Sequence, residues 1–335
     1  MKRWKIVLTR SMMPGDIAYI KEGIKSAVGN CFDFILPETY DEEGICAVAS
    51  EADIYLGPYV TEKTIKAAPN LQLVQVPWTG MDTFDFASAK NCKCPICNTH
   101  SNADSVAELA VTLVLDLLKK VAYHDRKMRY GNWNREQTPL DLKSKMMCKQ
   151  RVCLLGYGQI GSKIGKILAA MGADIVAVDN QNQSEKKELS VCVPFENWSE
   201  IVSTADIVIC AFPLTDLTRD MINLKTIQCF KYGALLVNIS RAAIINEETI
   251  YMALDSGRLS GFASDVWWNA PKRGEGQSWP SNKYEFTEFE NIIFSPHRAG
   301  FVEGELPHLD GAIENIIRLI RGQDLLCKVD VSRQY

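Results

Sequence analysis

Three side chains able to do chemistry each follow an apolar run in the second half of the chain. Val237-Asn-Ile239-Ser240-Arg241 sets a guanidinium just past a buried run, Phe262-Ala-Ser-Asp265 a carboxylate, and Phe294-Ser-Pro-His297 an imidazole. A fixed arginine can hold a carboxylate with two parallel hydrogen bonds. An imidazole can supply the proton that a ketone oxygen needs as hydride arrives at carbon. Each residue alone reads equally well as a solvated arginine, a capping aspartate or a loop histidine. All three at the carboxyl edge of one sheet favour a site.

The elements that must position them include a nucleotide-binding turn. Arg151-Val-Cys-Leu-Leu is a buried strand, and Gly156-Tyr-Gly158-Gln159-Ile160-Gly161 follows it directly. Glycines at this spacing allow a tight turn and close approach of a pyrophosphate, with a helix N-terminus aimed at the phosphates. A second apolar stretch, Ile175-Val-Ala-Val, ends in Asp179, 18 residues after the last glycine. An acid there accepts hydrogen bonds from the adenosine ribose. Asn180 rather than arginine beside it favours NAD over NADP.

Around that unit the chain alternates strands with helices. In the first hundred residues Lys5–Thr9, Phe32–Leu36, Ile54–Gly57, Leu71–Val76 and Pro95–Asn98 read as strands. Asp16–Ala27, Glu42–Ala49, Glu62–Ala67 and Asp82–Ala89 read as the helices between them, and Ser105–Tyr123 as one long helix capped by Asp104 or Ser105. Further strands are expected at 151–155, 174–178, Ile207–Ala211, Leu235–Ile239, Gly261–Ser264 and Ile292–Ser295. Helices are expected at Gln159–Met171, Trp198–Ser203, Lys225–Cys229, Glu247–Ser256 and Leu309–Arg321, with Lys272–Lys283 as an inserted surface loop. The alternation predicts an α/β protein with two doubly wound parallel-sheet domains and a cleft between them. Its ligands belong outside the carboxyl ends of the strands.

Composition narrows the function classes. At 335 residues the chain is too long for one ordinary core, and 47% hydrophobic with 23% charged residues is a soluble, globular balance. A net charge of −4 supplies no basic field for nucleic acid, and no apolar run is long enough for a membrane span. The basic N-terminus has too short an apolar stretch for a signal peptide, and eleven cysteines, several inside strand-like runs, fit free thiols in a reducing cytoplasm. Cys92-Lys-Cys94-Pro-Ile-Cys97 with His100 lacks a second matching knuckle, so no metal is expected.

Over nearly its whole length the chain resembles the D-isomer-specific 2-hydroxyacid dehydrogenases. Val74-Gln-Val-Pro-Trp78-Thr79-Gly80-Met81-Asp82 is similar to the family's substrate loop, and Asn98–Glu108 to its crossing between domains. Pro213-Leu-Thr215 with Thr218 resembles the loop beside the cofactor. Val237–Ala242, Ser264-Asp265-Val-Trp and Ser295-Pro-His297-Arg-Ala-Gly300 match the remaining signatures in order. The resemblance implies a flavodoxin-like substrate domain (1–100 with 302–335) and a Rossmann NAD-binding domain (101–301). It implies that Arg241 orients a small anionic substrate with Trp78, Thr79, Gly80 and Met81, and that His297 exchanges the proton. NAD would be held by Gly156, Gly158, Gln159, Ile160, Gly161, Asp179, Pro213, Thr218, Ile239, Ser240, Arg241, Asp265, His297 and Gly300. Ser105–Tyr123 and Tyr130-Gly-Asn-Trp133 resemble the dimer-forming region, which implies a homodimer.

One departure stands out. The family's glutamate five residues after the aspartate, which pairs with the histidine, is Ala270 here. Loss of that charge removes roughly 1–3 pKa units of support for the imidazolium. Asn269 and Glu275 are candidate replacements, and Trp267-Trp268 is either an aromatic wall over substrate or core packing. A smaller departure is Ala242 in place of the usual glycine. Two other readings follow: an NAD(H)-binding sensor or scaffold with relaxed catalysis, and a dehydrogenase of a small oxyanion such as formate or phosphite.

Overall fold

Alternating apolar runs and amphipathic helices build two parallel sheets in the computed structural model, which describes residues 2–133, 143–180, 186–271, 275–304 and 306–335. The chain divides into two units, Met1–Asn102 with Phe301–Tyr335, and Ala103–Gly300.

The first unit runs β1 (Trp4–Leu8), α1 (Pro14–Val28), β2 (Phe32–Ile35), α2 (Glu42–Ala49), β3 (Ile54–Leu56), α3 (Glu62–Lys66), β4 (Leu73–Gln75), α4 (Phe86–Ala89) and β5 (Ile96–Cys97). Its strands lie in the order β2-β1-β3-β4-β5, all parallel, which is the flavodoxin-like order. Both faces are covered. Ile6, Ile54, Leu56 and Leu73 pack under one helix layer, Val7, Tyr55, Val74 and Val76 under the other, as the two-residue period of a strand requires. The expected helix at 82–89 is shorter because the Asp85 carboxylate accepts from the Ser88 amide and sets the start at Phe86.

The second unit begins with α5 (Ala103–Lys119) and α6 (Val121–Met128). It continues through β6 (Arg151–Leu155), α7 (Gln159–Ala170), β7 (Asp174–Val178), β8 (Leu189–Val193), α8 (Trp198–Val202) and β9 (Ile207–Cys210). Then come β10 (Ala234–Asn238), α9 (Glu247–Asp255), β11 (Leu259–Ser264) and β12 (Ile292–Phe294). Seven parallel strands lie in the order β12-β11-β10-β9-β6-β7-β8. The order reverses between β6 and β9. Cys153, Leu155, Val208 and Leu236 face one core, Val152, Leu154, Ile209 and Val237 the other. The chain then re-enters the first unit with α10 (Pro307–Ile320), whose Leu309, Ile313, Ile316 and Ile317 form one apolar stripe. It lies close to α1: a Cβ at Gly23 would stand 2.9 Å from the Ile313 side chain.

Several expectations are corrected. The single helix over 105–123 is two, because Lys120 takes φ 57° and the Asp116 carboxylate accepts from the Ala122 amide at 2.8 Å, starting a new helix. Neither Asp104 nor Ser105 caps α5, since both lie inside its first turn. Residues 225–229 form a 3₁₀ turn at Thr226–Cys229 rather than an α-helix. The edge strand β8 had no expectation; its Ser190 and Val191 are exposed and the rest of it is only half-buried, which leaves no long apolar run. Of the inserted loop at 272–283, residues 272–274 lie outside the described residues.

Candidate active site

Gly156 follows β6 with φ 106°, a conformation natural to glycine. A Cβ there would meet the Ala211 carbonyl at 2.9 Å, and Ala211 follows β9, so the turn crosses the point where strand order reverses. In the first turn of α7, a Cβ at Gly161 would stand 2.0 Å from the Gly156 oxygen. At Gly158 nothing lies within 4 Å of that position. Two glycines are thus required by packing, and the third leaves bare backbone at a helix N-terminus, whose first amides have no intrahelical partner. Asp179, immediately after β7, accepts from the Tyr157 amide at 3.0 Å. This cradle fits a dinucleotide: open backbone for a pyrophosphate, unspent amides from Gln159 onward, and a carboxylate beside them for a ribose.

A second cluster joins the ends of β10, β11 and β12. Asp265 is 2% exposed, and its amide donates to Asn238 O at 3.0 Å. Its Oδ1 accepts from Ser295 Oγ at 2.5 Å and from the Arg298 amide at 2.9 Å, while Oδ2 accepts from the Ala299 amide at 3.0 Å. One buried carboxylate therefore brackets the His297 turn on both sides. His297 is itself exposed, with φ 53°. Ser295 is fixed further, its amide donating to Ser264 O and its carbonyl accepting from Trp267 Nε1 at 2.9 Å. On the neighbouring strand Asn238 accepts from the Ser240 amide at 3.0 Å and donates to Arg241 O at 3.1 Å, and Arg241 Nη1 donates to Ser240 O at 2.8 Å. The backbones carrying Arg241, Asp265 and His297 are thus tied to one another.

Around these, several residues expected to touch a cofactor have their side chains committed elsewhere. The Thr218 hydroxyl donates to Pro213 O at 2.7 Å and accepts from the Thr215 amide at 2.8 Å. Ser240 Oγ donates to Phe212 O, and Ile239 packs in the core, so both offer a ligand mainly backbone. Ile160 packs partly against that core, Gln159 is exposed at the head of α7, and Gly300 ends the unit. Trp267 and Trp268 are packing residues. The Trp268 indole N–H donates to Ile245 O at 2.8 Å and its ring stacks on Phe286 at 5.3 Å, while Trp267 lies 4.9 Å from Phe294. Asn269 does not stand in for the missing glutamate: its Nδ2 donates to Trp279 O. The brace from Ser295 and Trp267 escaped sequence reasoning; its signal is a small hydroxyl residue two positions before the histidine.

In the first unit, the loop after β4 is fixed from beneath. Asn98 Nδ2 donates to Thr79 O at 2.8 Å, Thr79 Oγ1 to Asn102 Oδ1 at 3.1 Å, and the Phe84 amide to Met81 O at 3.0 Å. Met81 is buried, Trp78 and Gly80 partly so. The Arg10 guanidinium lies over the Trp78 ring, 4.8 Å from its centroid. Cys92 and Cys94 sulfurs are 3.3 Å apart, and the neighbouring thiol holds the Cys92 pKa below the usual range by hydrogen bonding to its thiolate. No three potential ligand side chains among the described residues converge as a metal site. Burial pushes the His100 imidazole below its ordinary pKa, and its Nδ1 has no partner among the described residues.

Residues 111–299, more than half of the chain, match the family model described as "D-isomer specific 2-hydroxyacid dehydrogenase, NAD binding domain". The chain is 26% identical over 334 residues to the glyoxylate reductase of Thermofilum pendens, a match that covers 96% of this chain and 93% of that protein. It is 27% identical over 267 residues to the hydroxypyruvate reductase of Thermotoga maritima, covering 78% and 83%. Among solved structures the PH0520 protein from Pyrococcus horikoshii OT3 shares the fold with a TM-score of 0.80 at 24% identity, covering 98% of this chain and 95% of that one.

Proposed function

The chain belongs to the D-isomer specific 2-hydroxyacid dehydrogenase family and carries its NAD-binding domain, and from that premise we propose that Arg241 and His297 are its substrate-orienting and proton-exchanging residues. It is an NAD-dependent oxidoreductase acting on CH–OH donors. When bound, the nicotinamide supplies or accepts the hydride at C2 of a small 2-hydroxy or 2-keto acid. The chain's own residues do the rest. The amides of Gln159 and Ile160 and the Asp179 carboxylate hold the dinucleotide. Arg241 grips the substrate carboxylate through its planar fork. Nε2 or Nδ1 of His297 gives its proton to the C2 oxygen in reduction and takes it back in oxidation. Asp265 acts through His297 by holding its turn.

The observation that carries this reading is the single buried carboxylate of Asp265 linking the β10, β11 and β12 ends. The brace fixes the geometry of the His297 turn, and position 270, where the family carries an acid, is alanine. Arg241→Ala tests it: turnover of 2-keto acids with NADH should fall by about 10³-fold or more, as loss of a charge-assisted orienting contact implies, while NADH still binds. Unchanged turnover overturns the assignment.

The two units are taken as a substrate-binding unit and a cofactor-binding unit. A homodimer in the cytoplasm completes the reading. Tyr130 is 91% and Trp133 77% exposed just past α6, aromatic surface that suits an interface between copies and that light scattering would test. No helix among the described residues is long and apolar enough to cross a membrane.

A further inference from the structure

We propose that Cys92 and Cys94 are a redox-active dithiol, a modification site at which a hydroperoxide is reduced and the two sulfurs join in a reversible disulfide. The site lies wholly within the first unit and uses none of Arg241, Asp265 or His297, so it stands independently of the dehydrogenase reading. Burial alternates along the connection between α4 and β5. Asn91, Lys93 and Pro95 are exposed, while Cys92 and Cys94 both turn inward. The connection is fixed at each end: the Cys92 amide donates to Ala89 O at 2.9 Å, and Pro95 O accepts from the Val74 amide at 3.0 Å. Both are free thiols, their sulfurs 3.3 Å apart and packed against a core that includes Tyr55, Val74 and Ile96. Sulfurs this close need only a small rotation of their side chains to bond.

The two thiols are chemically unequal. Cys94 donates its proton to Cys92, which holds the Cys92 thiolate below the usual pKa range and the Cys94 thiol above it. Burial pushes the thiols of Cys46, Cys97, Cys192 and Cys327 the other way, up. Cys92 is only half-buried, so a small oxidant reaches its sulfur. The Cys92 thiolate attacks one peroxide oxygen, the O–O bond breaks, and the departing hydroxide takes up a proton as water. Cys92 is now a neutral sulfenic acid, so the negative charge that kept the proton on Cys94 is gone. The Cys94 sulfur loses its proton and attacks the Cys92 sulfur; the S–OH bond breaks, and hydroxide leaves with that proton as a second water. Two thiols lose two electrons and two protons, and one peroxide becomes two waters.

The test treats the full chain with one molar equivalent of hydrogen peroxide at about pH 7, alkylates the remaining thiols under denaturing conditions and digests with trypsin. Cleavage after Lys90, Lys93 and Lys119 leaves Cys92 on peptide 91–93 and Cys94 with Cys97 on peptide 94–119, so only a disulfide holds the two together. Tandem mass spectrometry should find 91–93 joined to 94–119 through Cys94, and dithiothreitol should release it. The link should form at least about tenfold faster than the exposed Cys148 is oxidised, as a stabilised thiolate implies. In Cys94→Ser, Cys92 should stop at sulfenic acid and be trapped by dimedone. The wild-type measurements decide the matter even where that variant folds poorly. A link through Cys97, a Cys92 that reacts no faster than Cys148, or Cys92 sulfinic acid without a disulfide would overturn the proposal.

Discussion

Replacing Asp265 by asparagine keeps the shape of the buried group and removes its charge. The carboxylate accepts three bonds, from Ser295 Oγ and the Arg298 amide on one oxygen and from the Ala299 amide on the other. Asparagine has one oxygen and an NH2 group, so whichever way it turns, at least one donor of the loop faces another donor. A hydrogen bond to a charged group contributes about 1.5–3 kcal/mol, and an unsatisfied buried donor costs about 1–3 kcal/mol. His297 also sits at φ 53°, where a residue with a Cβ is disfavoured by about 1–2 kcal/mol, so the loop has a reason to move once its anchor weakens. A displacement of the imidazole by about 1 Å costs around 10²-fold in rate. The expected result for Asp265→Asn is a kcat for keto-acid reduction lowered about 100-fold, with NADH affinity changed by less than about threefold and a melting temperature lower by several degrees. Ser295→Ala, which removes one of the three bonds, should lie between wild type and Asp265→Asn. Stopped-flow reduction at saturating acid, with NADH fluorescence for binding, reads all three. Wild-type kcat in Asp265→Asn would refute the argument that this carboxylate positions the imidazole.

Other outcomes follow from the same geometry. Gly158→Val should leave thermal stability near wild type, since nothing lies within 4 Å of its Cβ position, but weaken NADH binding by more than tenfold; Gly161→Ala, whose Cβ would stand 2.0 Å from the Gly156 oxygen, should lower stability as well, and calorimetric melting with NADH titration separates the two. His100 is held below its ordinary pKa by burial, so the unfolded chain binds its proton first as pH falls. Its stabilising contribution is whole above about pH 6.5 and is lost as pH drops from there towards the lower folded value. His100→Leu should therefore flatten urea stability between about pH 6.5 and 5; an unchanged slope there would mean His100 is not buried as a neutral imidazole.

Much of the fold was legible because parallel strands buried on both faces leave continuous apolar runs. The bounds at 151–155 and 174–178 coincide with β6 and β7, and the runs ending near Ile239, Ser264 and Ser295 became β10, β11 and β12. The strand-end positions of Arg241, Asp265 and His297 were readable for the same reason. The edge strand β8 was not, because the neighbouring Ser190 and Val191 are both exposed and none of its residues is fully buried. The break at Lys120 was hidden too: it depends on the Asp116 carboxylate accepting from the Ala122 amide six residues on, a local side-chain choice no propensity announces. In the site, residue types identified what could react, but hydrogen bonds decide what each group is free to do. The Thr218 hydroxyl turned inward to Pro213, and Trp267 became a brace on Ser295.

The most direct test of the central claim follows hydrogen from deuterated NADH into the product of a 2-keto acid, comparing wild type with His297→Asn. The account predicts deuterium at C2 of a 2-hydroxy acid of one configuration with wild type, and a rate lower by about 10²-fold or more in His297→Asn with NADH binding intact. An enzyme that binds NADH yet places no deuterium at C2 of any such acid, or a His297→Asn variant as fast as wild type, would contradict it.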